Sequence, residues 1–209
     1  MHKPPVSLRE RNRLETWALI HDEASKLACE QGLANTTVEA IADAAGVSKR
    51  TFFNYFPAKE DAILGIQGPT LSEETIACFR AGGAGDLFGR TVHLMVTVIR
   101  SMFPEASRTD RRRILKERHP ELARNLVSHL RACEELVEAV LLERYPSGPQ
   151  EESWSGLPPG RDSALALLML AGTVMRFAFA KDPSATTNES SPAVQEAIEI
   201  FRDTIKAAL

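Results

Sequence analysis

Apolar side chains recur at three- and four-residue spacing along most of the chain, and this period predicts helices rather than strands. The first run covers Leu8 to Gln31, with Trp17, Ile20, Ala24, Leu27 and Ala28 on one face and Gly32 as its stop. Val38, Ile41, Ala42 and Ala45 repeat the spacing over a shorter stretch, which Gly46 ends in a left-handed conformation. Thr36 followed by Glu39 predicts a capping box at its start. Ser48 then predicts the cap of a helix that begins at Lys49. Laid out at about 100° per residue, Phe52 and Phe56 of this helix face inward with Val47. Arg50 and Asn54 lie opposite, Thr51 and Tyr55 on one shoulder, Phe53 on the other, and Lys49 projects from the first turn. Two short helices joined by a tight turn are the sequence form of a helix-turn-helix.

Pro57 breaks the second of these helices, and a connecting helix is predicted from Ala58 or Lys59 toward Gln67, where Gly68-Pro69 interrupts it. A further segment runs from Leu71 to Arg80. RAGGAGDLFG at 80–89 is a loop without the G-K-[ST] of a phosphate-binding turn. Leu87 to Phe103 is apolar nearly all round, interrupted by Thr91, His93, Thr97 and Arg100, and predicts a central buried helix. Residues 105–118 carry Arg108, Arg111-Arg112-Arg113, Lys116 and Arg118, read as a solvated helix face with a second nucleic-acid patch as the alternative. Pro120 opens a helix striped with Leu122, Leu126, Leu130, Cys133, Val137, Val140 and Leu141. The turn-rich stretch 146–160 is a connection whose Trp154 covers a cavity or a dimer surface, or simply packs. Arg161 to about Lys181 is rich in small residues that permit close helix approach. After a polar linker, Ser191-Pro192 predicts an N-cap and first-turn proline, and Val194, Ile198, Phe201 and Ile205 form the last stripe. The expected fold is all-α.

Composition narrows the picture only in part. With 209 residues and 44% apolar content the chain can bury a core, yet a formal charge of −3 does not suggest a nucleic-acid partner. Over residues 1–60 acids and bases balance, so any attraction to DNA must come from local segregation, with bases at 3–13 and 49–59. Residues 1–7, with Pro4 and Pro5, read as an arm. Its Lys3, with Arg9, Arg11 and Arg13 beyond, is within reach of phosphates or a minor groove, or the arm has no role. Cys29, Cys78 and Cys133 lack metal spacing and read as reduced thiols in a cytoplasm. The N-terminus has no apolar signal region, and the apolar stretch Ala164–Met175 is too short for a bilayer, so no membrane partner is expected. No G-x-S-x-G or H-E-x-x-H motif occurs, and the five histidines show no ligand spacing. The expectation is a protein without cofactor, metal or catalytic residues.

The run TTVEAIADAAGVSKRTFFNYFPAKEDAI resembles the DNA-binding segment of the tetracycline-repressor (TetR) family. The family pattern is met at Thr37, Ile41-Ala42, Ala45-Gly46-Val47-Ser48, Thr51-Phe52-Phe53, Tyr55-Phe56 and Lys59-Glu60. Two positions depart from it. Ala28 stands where an aromatic is common, leaving volume for Phe52, Phe56 or Trp17, and Ala58 lacks the cap that usually precedes the lysine. The resemblance implies a three-helix helix-turn-helix domain over 1–57 and a larger helical effector-binding and dimerisation domain over 58–209. It further implies a homodimeric repressor on a pseudo-palindromic double-stranded DNA operator, released by a small, largely hydrophobic effector, with the two terminal helices forming a twofold four-helix interface. The expected DNA-binding set is Thr37, Ser48, Lys49, Arg50, Thr51, Phe53, Asn54, Tyr55 and Lys59. Within it Arg50 and Lys49 suit guanine edges and Asn54 an adenine edge or the backbone, while Thr37, Ser48, Tyr55 and Lys59 hold phosphates. The expected effector-binding set is His93, Met95, Thr97, Met102, Phe103, His129, Met169, Arg176 and Phe177. The alternative reading is a cytosolic carrier or enzyme for lipophilic molecules, with the helix-turn-helix as a packing unit.

Overall fold

A computed structural model of the chain describes residues 7–81, 86–104, 110–143, 160–188 and 190–208, and every regular element among them is helical. In chain order these are α1 (Leu8–Gln31), α2 (Val38–Ala44), α3 (Lys49–Tyr55), α4 (Lys59–Leu64), α5 (Glu73–Ala81), α6 (Leu87–Ser101), α7 (Asp110–Arg118), α8 (Leu122–Glu143), α9 (Arg161–Lys181), a 3-10 turn (Pro183–Thr186) and α10 (Ala193–Ala208). Expectations for Lys3, Pro4 and Pro5, the glycine-rich 82–85, Arg108, and the 146–159 connection with Trp154 lie outside the described residues. So do the side chains of Arg112, Arg113, Lys116 and Leu126.

The contacts group into two compact units. One holds the chain up to Gln67 together with Phe103–Val127, the other Gly68–Met102 with Ser128–Leu209. This grouping runs differently from a division at 57/58, because α4 packs on α1 and α7 packs on both. His21 Nδ1 donates to Ala62 O at 2.7 Å, and Ala62, Ile63 and Leu64 are buried. From α7, Arg111 reaches α1: it pairs with the Asp22 carboxylate at 2.7 Å and donates to Asp22 O and Ser25 Oγ. Arg111 is therefore a brace between helices, neither part of a free solvated face nor of a nucleic-acid patch.

In the first unit α1 starts at the Ser7 cap, whose Oγ accepts from the Glu10 N–H at 3.1 Å, and ends at Gly32 with φ 79°. The cap of α2 is Thr37, one residue later than the expected capping box. The Ala40 N–H donates to Thr37 Oγ1 at 3.1 Å, whereas Thr36 is buried and its hydroxyl donates to Gly32 O at 2.9 Å. Glu39 then sits one position too early to reach back to the cap. Phe52 and Phe56 are fully buried. Trp17 stacks on Phe56 with centroids 5.4 Å apart, and Phe52 lies 6.0 Å from Phe56. The three rings form one buried aromatic cluster between α1 and α3. Each buried ring contributes about 1.5–3 kcal/mol of transfer free energy. α4 ends at Leu64, short of the expected Gln67, because Gly65 takes the left-handed conformation (φ 60°, ψ 45°) and closes the helix.

In the second unit α9 packs against α6 and α10. α6 buries Leu94, Met95, Val98 and Ile99 but exposes His93 and Thr97, so it is amphipathic rather than buried all round. Asp86 caps it, accepting from the Gly89 N–H at 2.8 Å, and also pairs with Arg202 of α10 at 2.9 Å. Arg100 donates to Ala185 O and Asn188 O, both at 3.0 Å, fixing the turn between α9 and α10 to α6. α9 is long and apolar enough to cross a membrane by length and composition alone. Its buried face, with Ala164, Leu167, Leu168, Ala171, Val174 and Ala178, is spent on neighbouring helices, which is the pattern of a core helix. α10 begins at Ala193, whose N–H donates to the Ser191 hydroxyl at 3.3 Å.

Candidate nucleic-acid interface

The turn between α2 and α3 sets the geometry. Gly46 adopts φ 65°, which an L side chain enters only at a cost. The Ser48 Oγ accepts from the Thr51 N–H at 3.0 Å and lies 2.9 Å from the Thr51 hydroxyl, so the first turn of α3 is doubly tied. With Phe52 and Phe56 anchored inward, Arg50 and Asn54 are left exposed on the outer face, Thr51 and Tyr55 half-exposed at its shoulder. Phe53 is 55% exposed and meets Phe52 edge-to-face at 5.4 Å. That outer face carries donors, an amide and an aromatic, with no acid on α3. A helix of this size fits a major groove.

Two cations of the expected set are already engaged. Lys49 pairs with Glu39 of α2, and its hydrogen bond holds the Glu39 carboxyl below the usual carboxylate range. Lys59 donates to Leu33 O at 2.9 Å and Thr36 O at 2.8 Å, so its ammonium closes the turn between α1 and α2 instead of pointing outward from α4. Ala58 supplies no side-chain cap to α4, as its side chain dictates. Thr37 and Ser48 are exposed, and both hydroxyls cap their own helices.

Residues 20–64 match the family model of the bacterial regulatory proteins of the tetR family. That segment, which holds α2, α3 and α4, is similar to the DNA-binding part of the tetR family. The HTH-type transcriptional regulator TcmR of Streptomyces glaucescens is 44% identical over 57 residues. The match covers 27% of this chain and 25% of TcmR, so the chain spans about a quarter of the length of that curated relative. Among solved structures, NalD, the secondary repressor of the MexAB-OprM multidrug efflux pump in Pseudomonas aeruginosa, is 19% identical, with 92% of this chain and 96% of that chain covered and a TM-score of 0.43. FadR of Thermus thermophilus, a TetR-family transcriptional repressor in complex with lauroyl-CoA, is 20% identical, with 92% and 95% covered and a TM-score of 0.33. At those scores neither likeness carries an argument about this chain.

The expected effector set is split by the structure. Met95 and Met102 are fully buried, and the Cys133 thiol of α8 donates to Met102 Sδ at 3.6 Å. Burial pushes that thiol up to about 12. Phe103 is buried but groups with the first unit. His93 and Thr97 are exposed, and the Thr97 hydroxyl donates to His93 O; His129 is half-buried. Met169, Arg176 and Phe177 lie on the exposed face of α9, because their spacing puts them opposite Leu168, Ala171 and Met175. Arg176 donates there to the Thr173 hydroxyl, and Phe177 meets Phe201 of α10 edge-on at 5.7 Å. Sequence reasoning missed the Arg111 brace and the internal partners of Lys59. It also took Arg9, Arg11 and Arg13, beyond the arm, together, although helical spacing separates the middle one.

Proposed function

We propose that the chain is a sequence-specific DNA-binding transcriptional regulator, a cytoplasmic homodimeric repressor that leaves its operator when a small, largely hydrophobic effector binds. The observation that carries this reading is the outer face of α3, capped by Ser48 and anchored by Phe52 and Phe56, which leaves Arg50 and Asn54 exposed with no acid on the helix. Arg50 suits a guanine edge and Asn54 an adenine edge; Thr51, Phe53 and Tyr55 flank them, and Thr37 and Ser48 lie near the backbone. Lys49 joins them by exchanging Glu39 for DNA. Lys59 acts as an internal brace. The exposed apolar groups of α9 and α10, Met169 (73% exposed), Phe177, Ile200 and Ile205, support a twofold surface between copies. The buried, soft side chains of Met95 and Met102 support an apolar effector. Effector binding favours a form whose two recognition helices no longer match a pseudo-palindrome, shifting the population off DNA.

Selection of bound DNA from a random pool tests the reading. Recovery of paired half-sites about one helical turn apart is the expected result; recovery without any shared sequence would remove it. Arg50→Ala should weaken binding to the recovered site by about 1–3 kcal/mol and relax preference at one base pair, measured by titration.

A further inference from the structure

The flank of α1 forms a cleft of about 650 Å³ with the last residue of α3, lined by Leu8, Arg9, Asn12, Arg13, Thr16 and Tyr55. At about 100° per residue Arg9 and Arg13 are about 40° apart, and Arg11 lies about 160° from either. The lining therefore selects two of the three arginines. It offers two guanidiniums, an amide, a hydroxyl and a phenol, and no carboxylate. Thr16 donates to Asn12 O at 2.9 Å, so its hydroxyl proton is used within α1, and among the described residues Arg13 pairs with Glu10, 3.6 Å from its Nε in an exposed pair. Such a pair is weak and readily exchanged. Guanidinium forks recognise tetrahedral oxyanions bidentately, and apolar stems such as Leu8 pack on sugar.

We propose that this cleft holds a backbone phosphate of DNA flanking the bases faced by α3, with Arg9 and Arg13 as its cations and Tyr55 joining it to the recognition helix. The inference rests on the DNA-binding reading above and deepens it: the contact fixes the orientation of α3 without reading sequence.

The test uses the full-length protein and its selected site, with binding measured across a salt series. Each phosphate contact contributes about 0.9 to the slope of log affinity against log salt. Arg9→Ala/Arg13→Ala should flatten the slope by roughly 1 and leave the recovered base preference unchanged. Arg11→Ala, which removes the same charge outside the cleft, should change the slope by less than half as much as either single cleft variant. All three side chains are exposed, so the variants keep the fold. An unchanged slope in the double variant, or an equal effect of Arg11→Ala, overturns the cleft while leaving DNA binding intact. A wild-type protein that retains no DNA overturns both readings together.

Discussion

The ammonium of Lys59 meets the carbonyls of Leu33 and Thr36, at the turn that delivers the chain from α1 into α2. Both carbonyls lie in the loop between α1 and α2, outside the helical ladders; Leu33 O also accepts from the Thr36 N–H, and the charged donor meets the two at once. Lys59→Met keeps the apolar stem and removes only the donor. We expect a loss of about 1.5–3 kcal/mol in unfolding free energy by denaturant titration, with the salt slope of DNA binding unchanged. A slope that falls by about 1 would instead return Lys59 to the phosphate contacts. The same residue shows what a sequence conceals. The lysine and the uncapped Ala58 were both legible, but whether a half-buried cation turns outward or folds back on a turn depends on carbonyls from a segment more than twenty positions earlier. Arg111 is a parallel case: inside a run of three arginines nothing local marks the one that will reach Asp22.

At the scale of elements, the ends of helices were legible wherever a single residue type decides them. Gly32 stops α1, Gly46 turns α2 into α3, and Ser48 starts α3, each for a reason that its own chemistry contains. Where two neighbours compete, the sequence misleads. Thr36 and Thr37 are equally good caps, and packing settles the matter by burying Thr36 and leaving Thr37 at the helix mouth. Gly65 ends α4 ahead of Gly68-Pro69, because a lone glycine gives no local sign that it will take the left-handed conformation. A Cβ built on Gly46 would meet nothing within 4 Å, so the cost of a side chain there is purely conformational. Gly46→Ala should therefore lower stability by about 1–2 kcal/mol, readable as a lower denaturation midpoint with an unchanged m-value. The effector set was the least legible because α9 is apolar on both faces: periodicity finds a stripe but not which stripe is covered. On the dimer proposed above, Phe177→Glu should yield a monomer by sedimentation, because the charge falls on the exposed α9 face beside Phe201; a retained dimer would move the interface elsewhere.

For the whole molecule, the buried Cys133 thiol beside Met102 links stability to alkaline pH. Burial raises its pKa from the ordinary 9.0 to about 12. The unfolded chain therefore gives up this proton first, so the stabilisation is complete below pH 9 and is lost as pH rises from 9 to about 12. The melting temperature should fall across that window, and less steeply in Cys133→Ala. A thiol reagent at neutral pH should modify exposed Cys78 at once and Cys133 only on unfolding. The grouping of α7 with the first unit has a consequence of another kind. A recombinant fusion cut after Gln67 would carry the helix-turn-helix away from Leu115 and Leu122, which are buried, and from the Arg111 anchor on Asp22. The transplantable module is a discontinuous one. A chimera that exchanges this helix-turn-helix with another must graft the exposed face of α3 alone or bring α7 along with α1 to α4, since the chain's order and its folding partnerships do not coincide.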